Sequence, residues 1–176
     1  MSWAAALLVC TATAIAATAG GALATAAMQC PRTPAPIHAQ CQMEVLANAP
    51  CAQVYNEVLL RINGARGWTD PHNNGTYSVL STAPDAISGQ RLTGKAPHYK
   101  DLFDFTFTDA DNGKRCALTA CSVAQTTSVV DFSTNYCNLH NLYCGSRSRC
   151  TPVDHDFDSA ETYTFCNKRA DVCIVT

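Results

Sequence analysis

Leu102-Phe103-Asp104-Phe105-Thr106-Phe107-Thr108 is the stretch that decides how this chain folds. Its three phenylalanines occupy every second position with Asp104 and Thr106 between them. That is the period of a strand with one face in a core and the other in water. Asn112-Gly113 follows with the residues of a two-residue hairpin turn, and a long β-rich run from Cys116 to Val130 comes next. Upstream, Thr76 to Thr82 and Ser88 to Thr93 are two short runs of the same kind. Downstream, turn-like Asp131 to Thr134 leads into Asn135 to Tyr143, which reads as one more strand. The alternation therefore predicts a meander of four or five antiparallel strands.

A helix precedes this sheet. Pro50 suits a first helical turn, and Val54, Tyr55, Val58, Leu59 and Ile62 recur at helical spacing until Asn63-Gly64 offers a stop. Cys51 shares the face of Tyr55, Val58 and Ile62, so a disulfide from it would staple the helix to whatever it covers. Gln40 to Ala49 reads as a shorter helix, separated from the next by Pro50. The expected class is α+β, an N-terminal helix packed on a four- to five-stranded antiparallel sheet and stabilised by disulfides. Cystatin-like and nuclear-transport-factor-like folds have that layout, an analogy of fold alone. Val54, Val58 and Ile62 should meet Phe103, Phe105 and Phe107 in the core.

The chain holds eleven cysteines in 176 residues. Ser2 to Met28 carries no charge, and Ala22-Leu23-Ala24 and Ala24-Thr25-Ala26 both fit a signal-cleavage rule. Residues 1–26 are thus read as a signal peptide that takes Cys10 with it. Residues 27–50 are read as a proline-rich lead-in with the short helix, and 51–176 as one disulfide-rich domain. Cys30, Cys41, Cys51, Cys116, Cys121, Cys137, Cys144, Cys150, Cys166 and Cys173 remain, an even set for five disulfides. Bonds at that density persist in an oxidising compartment, so the expected location is extracellular or the lumen of the secretory pathway. Cys144 with Cys150 and Cys166 with Cys173 are close enough in sequence to close local loops.

Function classes narrow by exclusion. The net charge of −2 argues against nucleic acid, and against a membrane surface once the leader is removed, because both need clustered Lys and Arg. Arg147 and Arg149 read as a solvated loop. The sequence carries no nucleophile elbow, no H-E-x-x-H and no phosphate-binding glycine loop, so no catalytic residue and no cofactor is assigned. Trp68, Asp70, His72 and Tyr77 concentrate aromatic and hydrogen-bonding groups in a Pro/Gly loop, the composition a glycan or small polar ligand would use. Asn74-Gly75-Thr76 is a glycosylation sequon. Asp154, Asp156 and Asp158 have the period that would align three carboxylates along a strand for a hard cation.

Trp68 to Tyr77, Cys116-Ala-Leu-Thr-Ala-Cys121 and Asp131 to Cys144 together resemble a family of small secreted cysteine-rich proteins of single-celled algae and related protists. The resemblance spans Trp68 to Cys150. It implies a secreted disulfide domain and carries over no catalytic residue. The expected function is a non-enzymatic binding domain for an extracellular protein, glycan or small ligand. The alternative is a secreted hydrolase or lyase using His72 or His140 with a nearby Asp.

Overall fold

The computed structural model describes residues 30–166 and 168–174; the leader read in residues 1–26, with Cys10, lies outside them. The phenylalanine-alternating stretch is the centre of a long strand, β4 (Lys100–Ala110), and Asp101, Phe103, Phe105 and Phe107 form its buried face. On one side β4 pairs with β3 (Ala86–Leu92), which forms a hairpin with β2 (Thr76–Ala83). On the other it pairs with β5 (Arg115–Ala124). The turn between β4 and β5 runs from Asp111 to Lys114 and holds Asp111, Asn112 and Gly113 at positive φ. It is longer than the two-residue turn that Asn-Gly announces, and it still uses the residue types that tolerate the left-handed region.

Gln40 to Ala49 is not a helix. Gln40–Ala47 is strand β1, inserted between β5 and the strand β6 (Ser159–Phe165), which completes a six-stranded antiparallel sheet in the order β2-β3-β4-β5-β1-β6. Cys41, Met43, Val45 and Ala47 are buried at alternate positions along it. Backbone partners on both sides and a buried face outweigh the helix preference of Gln, Met, Glu and Leu. The first element is therefore a strand rather than the expected helix, and residues 40–47 belong to the sheet rather than to a lead-in. Helix α1 (Cys51–Ile62) matches its sequence signals, ending at Asn63 with Gly64 at φ 61°. Val54, Val58 and Ile62 join Phe103, Phe105 and Phe107 in one core.

Asn135 to Tyr143 is not a strand either. Thr134–Tyr143 forms helix α2, and every residue from Asn135 onward is buried. Tyr, Asn, Cys and His are weak helix formers, so partners supplied by other segments hold this helix. At its start the Asp131 carboxylate accepts the Asn135 N–H at 3.1 Å. At its end Arg61 of α1, itself buried, donates Nη1 to the carbonyls of Asn141 and Cys144, each at 2.9 Å. A cation there satisfies orphan carbonyls and complements the helix dipole.

Arg61 in turn pairs with Glu57 at 2.7 Å, and the N–H groups of Val153, Asp154 and His155 complete that carboxylate's shell. Burial alone would raise the Glu57 pKa. The three backbone donors and Arg61 outweigh it and hold the group below its usual range.

All ten described cysteines are paired: Cys30–Cys121, Cys41–Cys166, Cys51–Cys116, Cys137–Cys173 and Cys144–Cys150. Cys51 ties α1 to β5, as the position of that cysteine on the helix anticipates. The Cys144 loop closes locally. Cys166 and Cys173 do not pair with each other, because Cys166 directly follows β6 and bonds Cys41 of β1, while Cys173 reaches the buried Cys137 of α2. Four of the bridges span between 36 and 125 residues and so join distant segments, the case in which cross-linking restricts the unfolded chain most. Among the described residues no helix is long and apolar enough to cross a membrane.

Candidate binding cleft

The core face of the sheet turns polar at one end. Arg91 of β3 stands opposite Asp101 of β4 in the register, and Ser122 of β5 lies opposite Phe103. All three are buried, although each continues the period-two row that is apolar elsewhere. α2 covers this end with Asn135, Asn138 and Asn141, whose three-residue spacing keeps them on one side of the helix. Asn138 Nδ2 donates to Asp101 Oδ2 at 2.8 Å and to Ser122 Oγ at 3.0 Å. The Ser122 hydroxyl donates to Asn135 Oδ1 at 2.7 Å, and Asn135 Nδ2 donates to Asp131 Oδ1 at 2.7 Å. Arg91 turns away from Asp101 toward Asp70, with Nε donating to Oδ2 at 2.9 Å, and toward the His72 carbonyl and Asn73 Oδ1.

A cavity of about 530 Å³ opens above this network, between the β3–β4 connection and the segment that joins β5 to α2. Gly94 sits where the first of these crosses the Asn73–Asn74 backbone; a Cβ there would stand 2.1 Å from the Asn73 carbonyl oxygen. Asp101 and Asp131 line the cavity together with Lys95, Tyr99, Val129, Val130 and Phe132. Asp101 is only 4% exposed, and its Oδ1 has no hydrogen-bond partner among the described residues. Burial pushes its pKa up and the charge of Asp131 adds to the shift, while Asn138 and Arg91 offset part of it. Burial also raises Asp131, against the donors of Asn135.

The rim is apolar and open. Tyr99, Val129, Val130 and Phe132 are all more than half exposed, Phe132 at 77%. Phe132 and Ser133 have φ of 48° and 65°, a region that non-glycine residues enter at a cost of about 1–3 kcal/mol each. Grouped exposed apolar side chains beside a polar floor are the general signature of a ligand site.

Trp68, Asp70, His72 and Tyr77 make contacts within the fold, and none of them lines this cavity. Asp70 is 1% exposed and holds Arg91, Asn141 Nδ2 at 2.9 Å and the His72 N–H at 3.1 Å. Trp68 packs on the core with its ring centre 6.1 Å from that of Tyr77. The Tyr77 hydroxyl donates to the Asn138 carbonyl at 3.1 Å. His72 Nδ1 lies 3.0 Å from the Val172 carbonyl, and burial lowers its pKa despite that contact. Asn74 is exposed, as a sequon asparagine must be.

Asp154, Asp156 and Asp158 do not align. Their segment precedes β6 and is irregular, so they turn separately to Arg66, Ser146 and Arg147. His140 finds a carboxylate, but it is Glu161 rather than an Asp, at 3.0 Å in the interior. Among the described residues the one His, Cys, Asp or Glu grouping tight enough for a shared ion is His140, Cys144 and Cys150. Its sulfurs are bonded to each other and so offer no thiolate. No protein-family model matches this chain, and no curated protein matches it.

Sequence reasoning passes over Asp101, Asp131 and Phe132 as site residues. Two signals point to them. Asp101 continues the buried row of Phe103, Phe105 and Phe107, a carboxylate in a core position. Asn135, Asn138 and Asn141 repeat at three-residue spacing, which makes sense only on a helix that serves polar groups.

Proposed function

We propose that this chain is a secreted, disulfide-stapled binding domain whose ligand occupies the cleft above Asp101 and Asp131. Five disulfides and an apolar leader support the secreted half of this reading. The observation that carries the binding half is Asp101, a buried carboxyl that faces a cavity with one oxygen unpartnered inside a rim of exposed apolar side chains. This oxygen opens onto the cavity, and a ligand donor that replaces the solvent there would form a charge-assisted hydrogen bond at a largely buried carboxyl. The cavity lies within the ordinary range for small-molecule sites. Binding is favoured over turnover because no histidine hydrogen-bonds Asp101 or Asp131 among the described residues; His72 acts on Asp131 through its charge, while its Nδ1 lies against the Val172 carbonyl.

A fragment screen followed by two-dimensional amide NMR tests the reading. Hits of any charge class should shift resonances between residues 93 and 101 and between 124 and 134, and Phe132→Ala should weaken them. Hits scattered over the surface, or none at all, would reject the cleft as the site.

A further inference from the structure

We infer that the ligand is an organic cation, an ammonium or guanidinium group seated between Asp101 and Asp131 with its apolar body against Tyr99 and Phe132. The inference rests on the cleft being the binding site. Charge is the first argument. Two carboxyls line one cavity, and Arg91, the buried cation that acts on Asp101, is held by Asp70, the His72 carbonyl and Asn73, with its Nη1 left unpartnered. Lys95 stands exposed at the rim and makes no ion pair with a described residue. An anion would meet two like charges there, and a neutral hydroxyl would leave their mutual repulsion in place. A cation offsets that repulsion and the dehydration of both carboxylates by direct attraction, against the cost of its own dehydration.

The donor set also separates an organic cation from a metal ion. The Asp131 oxygens already accept from Asn135 N and Nδ2, and Asp101 Oδ2 accepts from Asn138, which leaves Asp101 Oδ1 as the free carboxylate oxygen. Calcium takes six to eight oxygen ligands. An ammonium or guanidinium needs only a few acceptors with directional geometry, and the remaining lone pairs of these carboxylates supply them. The rim argues for the rest of the molecule. Tyr99, Val129, Val130 and Phe132 would contact hydrocarbon or an aromatic ring, and aromatic faces attract cations directly.

The test uses the full oxidised chain and three probes of one shape: phenethylamine, 2-phenylethanol and 3-phenylpropionate, titrated at pH 7 with amide NMR as readout. Phenethylamine should move the resonances of Asp101, Asp131 and Phe132 and bind at least about tenfold more tightly than the alcohol. The propionate should not bind. Asp101→Asn should weaken the amine about tenfold and leave the alcohol unchanged, with an unaltered spectrum elsewhere reporting that the fold is intact. Asp131→Asn is the second variant and should act in the same direction.

Equal affinity for amine and alcohol, or an amine indifferent to both substitutions, would overturn the cation. If a neutral or anionic probe instead moves the cleft resonances while the amine is silent, the cation falls and the cleft survives as the site. Silence from every probe, together with an empty fragment screen, rejects both.

Discussion

Glu161 and Asp101 both meet α2, from opposite sides of the helix. Tyr136, His140 and Tyr143 reach Glu161, and Asn138 reaches Asp101. Glu161 Oε1 accepts the Tyr143 hydroxyl at 2.6 Å, the Tyr136 hydroxyl at 2.8 Å and lies 3.0 Å from His140 Nδ1, while Lys168 pairs with Oε2. Burial would raise this carboxyl, yet the donors and charges of His140, Lys168, Tyr143 and Tyr136 drive it far below its usual range. Both tyrosines are pushed upward, first by burial and then by the carboxylate. Asp101 has one donor, a like charge nearby and a net shift in the other direction. A carboxyl that collects several donors and a cation inside the protein is part of the scaffold. One whose needs are unmet beside a cavity is available to something else.

The comparison makes predictions of opposite sign. Glu161→Gln should remove about 3 kcal/mol of stability in urea unfolding, because His140 and two buried tyrosine hydroxyls lose a charged acceptor for a neutral amide. A loss below about 0.5 kcal/mol would mean that the Glu161 cluster is not the support its geometry describes. Asp101→Asn should instead raise stability at pH 7, by up to about 1 kcal/mol, while it costs binding. A destabilised Asp101→Asn protein would show that this carboxylate is structural and would remove the contrast.

Varying pH sharpens the same contrast. The Glu161 carboxyl is lowered by folding, so its contribution is present above its unfolded value of about 4.3 and is lost as pH falls below it. Asp101 and Asp131 are raised by folding, so the folded state binds their protons more tightly than the unfolded one does. Their effect is most favourable below about pH 4 and declines as pH rises through their folded values. The stability gap between wild type and Asp101→Asn should therefore be small at about pH 3.5 and widen toward neutrality. The gap between wild type and Glu161→Gln should narrow on acidification. Denaturant curves at a series of pH values would show both trends, and parallel pH profiles for the three proteins would contradict them.

The smallest expected effect belongs to the rim. Phe132→Ala should change stability by less than about 0.5 kcal/mol, since the ring is 77% exposed. A larger loss would assign Phe132 to packing rather than to a ligand.

What the residues determine alone is local and periodic. Phe103, Phe105 and Phe107 announce a half-buried strand, Val54 to Ile62 announce α1, and an even set of ten cysteines after an apolar N-terminal stretch announces a covalent framework; each reading depends on the residues of the chain alone. Gln40–Ala47 and Thr134–Tyr143 were decided elsewhere. β1 exists because β5 and β6 flank it, and α2 exists because Asp131, Arg61 and the Cys137–Cys173 bond hold it in place. Neither segment's preference could show these partners, most of which lie tens of residues away. The cleft belongs to the same class. Asp101, Asp131 and Phe132 come from two distant stretches, and only the paired strands and the buried helix bring them to one cavity, because burial and the electrostatic field it creates are properties of the folded assembly rather than of any segment.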